Sequence, residues 1–149
     1  IADIPALDER YIGYSNKSFK VVKGKKYNLK VNNNSEINDC VLNTTSPYVF
    51  ANQSDQKSFE KVSKKVKSTR LGGDCYSYCL LADGLVDIVI ESGLKPWDIR
   101  ALEPIIVNAG GILKTWNKEE VISGGRIIAC NNKKLYNKVL NVINKKPSY

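Results

Sequence analysis

The 149-residue chain is expected to fold as an α/β protein, and three patterns carry that expectation. Beyond residue 40, short apolar runs alternate with segments whose apolar residues recur at helical spacing, the order that builds a layered sheet with largely parallel pairing. Residues 86–90 form a short, apolar, β-branched run, as in a strand buried inside such a sheet. The first 31 residues instead alternate apolar and polar positions around Gly13 and Gly24, which predicts antiparallel strands of a meander.

In chain order, residues 2–14 and 18–31 supply the meander, which ends in the polar turn VNNNSE, and residues 40–44 are a strand. Ser54 or Asp55 is expected to cap a helix over 56–67 that turns Phe59, Val62 and Val66 inward. A second helix over 75–82 follows Gly73, then the strand at 86–90 and a helix over 99–109 stopped by Gly110 and Gly111. Strands at 112–116 and 126–130, with Gly124 and Gly125 turning between them, and a final helix over 133–143 complete the pattern. There is no internal repeat and no low-complexity linker.

Composition bounds the possibilities. A content of 42% hydrophobic and 26% charged residues suffices for an ordinary globular core. No segment approaches 18 consecutive apolar residues, and the start, with Asp3, Asp8 and Glu9, lacks a basic region followed by a hydrophobic one. A membrane span and a secretory signal are therefore not expected, and the protein reads as cytoplasmic. The chain begins at Ile1 and contains no Met, so it is expected to be a fragment or a processed product.

The four cysteines do not have the spacing of a metal site. Cys75 and Cys79 stand four apart on a predicted helix, Cys40 and Cys130 are distant, and there is no His. Buried free thiols are favoured over disulfides or zinc. Without His, no Ser-His-Asp or Cys-His system can be assembled, which leaves a carboxylate, a Lys or a metal-bound water as a base near neutral pH.

The net charge of +8 collects in two stretches, Lys17, Lys20, Lys23, Lys25, Lys26 and Lys30 around Gly24, and Lys57, Lys61, Lys64, Lys65, Lys67 and Arg70 on and after the first helix. Such stripes can bind phosphate backbones. No nucleic-acid motif or aromatic platform accompanies them, and the richness in Asn, Ile and Lys has the bias of an AT-rich genome. Solvated faces that attract anionic substrates are preferred.

Glu91 and Asp98, in the run IVIESGLKPWDIRALEPIIVNAGG, fall at the C-terminal end of a strand and the N-terminal start of a helix. Ligands of α/β sheets usually bind in the crevice beyond the strand ends, and Pro96 and Trp97 stiffen the link that aims both acids there. Each has an ordinary alternative. Asp98 could be a helix cap, Glu91 an exposed strand-end acid, and Gly72-Gly73-Asp74 a turn with its cap. Trp97, Trp116 and the tyrosines are expected to pack rather than stack on a ligand, and Cys75 to fill space.

Glu91 with Ser92-Gly93-Leu94, then Pro96-Trp97-Asp98, Ala101 and the Ala109-Gly110-Gly111 helix end, resembles the carboxy-terminal signature of the inositol monophosphatase family of magnesium-dependent phosphatases. The segment TRLGGDCYSYCLLADGLVDIVIESGLKPWDIRAL is most similar to its histidinol-phosphatase branch, and the likeness runs on through GGRIIACN. It covers about the last 110 residues well and the first 40 less distinctively.

The resemblance implies the carboxy-terminal part of a five-layer α-β-α-β-α sugar-phosphatase-like fold with a mixed, mostly parallel sheet. Residues 1–34 would be the last strands of the amino-terminal sheet and residues 35–149 the carboxy-terminal α/β domain. It implies Mg²⁺ as cofactor, Asp98 as a metal ligand, and Gly72, Gly73, Asp74 and Glu91 as substrate-binding residues, with Glu91 suited to a cationic amine such as that of histidinol phosphate. Asp74 replaces the small residue of the inositol-specific branch. The family's amino-terminal metal ligands and water-activating loop have no counterpart, so beyond the metal ligand this chain should hold no catalytic residue and be inactive without the missing amino-terminal half. The expected partners are that half, a small phosphomonoester and, as a homodimer, a second copy. A non-catalytic interaction module that binds nucleic acid through its lysines is the alternative.

Overall fold

The computed structural model describes residues 1–145. Its first unit is a four-stranded antiparallel meander of β1 (Ala2–Ile4), β2 (Glu9–Tyr14), β3 (Lys17–Val22) and β4 (Lys25–Asn28), paired in that order. Its second is a five-stranded sheet of β5 (Val41–Thr44), β6 (Ser68–Leu71), β7 (Ile88–Leu94), β8 (Ile112–Thr115) and β9 (Gly125–Cys130), in the order β6-β5-β7-β9-β8. Five α-helices accompany them among the described residues: α1 (Gln53–Ser63), α2 (Asp74–Ala82), α3 (Pro96–Ile99), α4 (Glu103–Asn108) and α5 (Lys133–Asn144).

The elements stack in four layers. Tyr11 of β2 packs with Tyr78, Cys79, Leu81 and Ala82 of α2, Ile105 and Ile106 of α4, and Val89, Leu113, Ile127 and Ala129 on one face of the larger sheet. The opposite face, with Leu42, Ile88, Ile90 and Ile128, packs on Phe59 and Val62 of α1 and Leu135, Val139, Leu140 and Ile143 of α5. Each Leu or Ile buried in this way contributes about 1.5–3 kcal/mol. The arrangement, β-α-β-α, is that of an α/β protein with mixed sheets flanked by helices.

Contact between the smaller sheet and α4 is close enough to dictate sequence. Ser18 donates its hydroxyl to the Ile105 carbonyl at 2.7 Å. Gly13 lies so near that a Cβ there would stand 2.5 Å from the Ile105 nitrogen and the Pro104 carbonyl carbon.

Several elements differ from expectation. The first helix starts at Gln53, because Asn52 is the cap, its side chain accepting the Asp55 N–H at 2.9 Å, and it ends at Ser63 rather than residue 67. Neither Ser54 nor Asp55 caps it. Residues 68–71 form the unanticipated edge strand β6, whose largely exposed STRL sequence has no apolar periodicity to announce it. The strand expected at 86–90 starts at Ile88 and extends to Leu94 through a register shift after Glu91. The helix expected over 99–109 is two short helices, since Pro104 has no N–H to give the carbonyl of residue 100.

Only β5 pairs in parallel, with β6 and β7; β9 runs antiparallel to both β7 and β8. Parallel pairing is thus confined to half of this sheet. Trp116 is packed as expected, whereas Trp97 is 77% exposed. The cysteines are all free thiols; Cys40, Cys79 and Cys130 are buried and Cys75 is partly so.

Candidate functional site

The parallel pairs set the site. Because β5, β6 and β7 run the same way, their C-terminal ends reach one edge of the sheet, and the chain leaves that edge at Thr45, Gly72 and beyond Glu91. A crevice of about 250 Å³ opens there, lined by Thr45, Asp74, Cys75, Tyr78, Glu91, Ser92, Gly93, Leu94 and Asp98. The chain therefore brings Asp74, Glu91 and Asp98 together from a helix start, a strand and a second helix start. A larger cavity of about 390 Å³, between α4 and β8, contains none of these acids.

Glu91 is 2% exposed, far from the exposed strand-end acid of the ordinary alternative. Its Oε1 accepts the Thr45 N–H at 2.6 Å, binding β7 to the end of β5. Burial raises its pKa above the usual carboxylate range, against the lowering effect of Thr45, whose N–H and hydroxyl favour the ion, and Asp74 adds to the rise. The segment after it is locked from below. Ser92 donates its hydroxyl to the buried carboxylate of Asp55, which also accepts the Arg126 Nε at 2.9 Å, and Ala51 gives its N–H to Ser92. Gly93, at φ +84°, lets the chain turn outward after that anchor.

Asp98 is exposed and is not the N-cap of α3, which is Lys95; from the third position of the helix its Oδ2 reaches back to accept the Lys95 N–H at 2.7 Å. That bond occupies one oxygen and leaves Oδ1 for another partner. Asp74 sits on the crevice wall at φ +47°, in the left-handed region unusual for a residue with a side chain. Gly72, at φ +87°, gives its N–H to the Thr45 carbonyl at 2.9 Å, and at Gly73 a Cβ would meet the Ser77 hydroxyl at 1.8 Å. Both glycines shape the turn and neither lines the crevice. Burial raises the Cys75 pKa, and Asp74 pushes it further, so Cys75 is a poor nucleophile there.

Among the described residues no three His, Cys, Asp or Glu side chains stand together as a metal cage. For a hard divalent cation this chain offers the free oxygen of Asp98 and no complete ligand set. The lining includes no Lys or Arg, although the chain as a whole carries +8.

Sequence reasoning missed Thr45, Tyr78, Ser92, Asp55 and Arg126. Tyr78 stands four residues after Asp74, the spacing that puts two side chains on one helix face, so that signal was present. Nothing local announces that Asp55 and Arg126 meet.

Residues 1–148 match the family described as the inositol monophosphatase family. Over 116 residues the chain is 41% identical to the chloroplastic bifunctional phosphatase IMPL2 of Arabidopsis thaliana, covering 78% of this chain and 32% of that one. It is 30% identical over 146 residues to the histidinol-phosphatase of Mycobacterium tuberculosis, covering 97% and 56%. An inositol monophosphatase structure from Zymomonas mobilis superposes with a TM-score of 0.77 at 32% identity, over 87% of this chain and 53% of that one. The chain thus spans about half or less of the length of these relatives.

Proposed function

The chain belongs to the inositol monophosphatase family, and from that premise we propose that it forms the carboxy-terminal part of a magnesium-dependent phosphomonoesterase. Its substrate is a small phosphate monoester with a cationic organic end, histidinol phosphate before inositol phosphate. The observation that carries the reading is the crevice lining: Asp74, Glu91 and Asp98 with no basic side chain, in a chain of net charge +8. Such a crevice attracts a cation and repels a bare phosphate. The name of the Mycobacterium tuberculosis relative, histidinol-phosphatase, agrees with that chemistry.

In this reading Glu91, fixed by Thr45, accepts from the substrate's ammonium group, and Asp74 faces the same group across the crevice. Asp98 contributes one oxygen to Mg²⁺, and the other ligands come from the amino-terminal half. When bound, the metal would lower the pKa of a water and offset charge on the phosphate. Residues 1–34 complete the amino-terminal sheet of the larger fold and residues 35–149 are its carboxy-terminal domain. The complete enzyme is a cytoplasmic homodimer.

Phosphate release from histidinol phosphate and inositol 1-phosphate, with Mg²⁺ and with EDTA, tests this. The 149-residue chain alone should release none, and the complete enzyme should prefer histidinol phosphate. Turnover by the chain alone that EDTA abolishes would overturn the division of metal ligands, and a preference for inositol 1-phosphate would overturn the substrate.

A further inference from the structure

Tyr78 is 3% exposed and lines the crevice, yet its hydroxyl has no hydrogen-bond partner among the described residues. A buried hydroxyl left unpaired costs about 1–3 kcal/mol, and Phe would fill the same space without that cost. Asn43 Oδ1 and Thr44 Oγ1 are also unpaired, but neither residue lines the crevice.

Two other donors at the crevice are committed. The Thr45 N–H goes to Glu91 and the Ser92 hydroxyl to Asp55. As carboxylates, Asp74, Glu91 and Asp98 can accept but not donate. A ligand that bears both a cation and an acceptor atom thus finds three places for the first and, in the buried Tyr78 hydroxyl, an uncommitted donor for the second. Burial, then the charges of Glu91, Asp74 and Asp98, hold the Tyr78 hydroxyl protonated, as a donor must be.

We propose that Tyr78 is a substrate-binding residue, whose hydroxyl donates to a hydroxyl oxygen or neutral ring nitrogen on the molecule whose ammonium group Glu91 holds. This rests on reading the crevice as the seat of a cationic organic group, and it adds the discrimination between a simple amine and one that also carries an acceptor. Buried polar groups left unpaired by the wrong ligand discriminate more strongly than apolar contacts do.

Calorimetric titration of the 149-residue chain with L-histidinol, which carries an ammonium group, a hydroxyl and an imidazole but no phosphate, separates the two claims. Three proteins are compared: the natural chain, Tyr78→Phe and Glu91→Gln. The natural chain should bind, Glu91→Gln should weaken binding, and Tyr78→Phe should weaken it about tenfold. Without ligand, Tyr78→Phe should melt at the same temperature or higher. If Glu91→Gln weakens binding and Tyr78→Phe does not, the role of Tyr78 is overturned and the reading of the crevice stands. A lower melting temperature for ligand-free Tyr78→Phe would assign the hydroxyl a structural role and also overturn it. Absence of binding by the natural chain, or an unchanged affinity in Glu91→Gln, would overturn the crevice reading and this proposal with it.

Discussion

Ser92 and Asp55, 37 residues apart in the chain, are joined through the Ser92 hydroxyl and the Asp55 carboxylate, and this bond anchors the floor of the crevice to α1. Asp55 is 2% exposed and also holds Arg126 of β9, so one carboxylate ties a helix and two strands.

Replacing Asp55 should therefore unfold more than a surface ion pair would suggest. Asp55→Ala strands a buried serine hydroxyl and an arginine, at a cost of about 2–4 kcal/mol. Arg126→Ala leaves the buried Asp55 carboxylate without its cation but vacates a half-exposed position that water can fill, so it should cost less, about 1–2 kcal/mol. Urea unfolding of both variants checks the order, and equal losses would contradict it.

Gly13→Ala tests the seam between the smaller sheet and α4. The added methyl would lie 2.5 Å from backbone atoms of Pro104 and Ile105, which no rotamer change relieves. A loss of about 1–3 kcal/mol is expected by thermal or urea unfolding. Gly24→Ala is a weaker test of the same kind, because nothing lies within 4 Å and only the positive φ opposes it.

Glu91 makes stability depend on pH. Its folded-state pKa is raised by burial, so the stability gained from holding it as the acid is fully present below its unfolded value and is lost as pH rises through the folded one. Glu91→Gln imitates the acid at every pH. The variant should melt higher than the natural chain at pH 7, with the gap closing below about pH 4. A gap that widened on acidification would reverse the assignment.

Asp98→Asn keeps an oxygen for the Lys95 N–H and removes the charge that a hard cation needs. The melting temperature should stay within about 2 °C, since a capping interaction conserved in kind costs at most a few tenths of a kcal/mol. In the complete enzyme, activity should fall and a higher Mg²⁺ concentration be required. Full activity at limiting Mg²⁺ would leave Asp98 the partner of the Lys95 N–H and nothing more.

The exposed lysines should bind nucleic acid only through counterion release. Lys57, Lys64, Lys65, Lys67 and Arg70 are exposed and none lines the crevice. Filter binding or fluorescence anisotropy with RNA should give weak affinity that is lost by physiological salt. Submicromolar binding to a defined RNA at that salt would favour an interaction module over a phosphatase.

How much of this was legible in the chain depends on the range of the interaction. The meander, α2, α5 and β9 were visible because alternation, helical spacing and glycine stops are local. The split of α3 from α4 was also local, in Pro104, but apolar periodicity masked it. β6 was hidden because an exposed edge strand held by pairing to β5 needs no apolar pattern. Asp98 was readable both as cap and as candidate ligand; its bond back to the Lys95 N–H uses one oxygen, while the helix is capped by Lys95 itself. Glu91 gave no hint of its burial or of its bond to Thr45, 46 residues earlier, and the Asp55 anchor was invisible because it too is long-range.

The gathering of Thr45, Asp74, Tyr78, Glu91 and Asp98 from three separate chain segments has a thermodynamic corollary. A crevice assembled across such sequence distances exists only while β5, α2 and β7 are mutually docked, so anything that occupies it binds the folded state alone. By mass action a ligand at a hundred times its dissociation constant would deepen the native well by about 2.7 kcal/mol. That increment falls on openings that separate β5 from β7 and spares fraying at β1 or β4. Amide exchange measured with and without ligand would then trace the boundary of the cooperative unit, with occupancy of the crevice acting as a latch on the parallel half of the sheet.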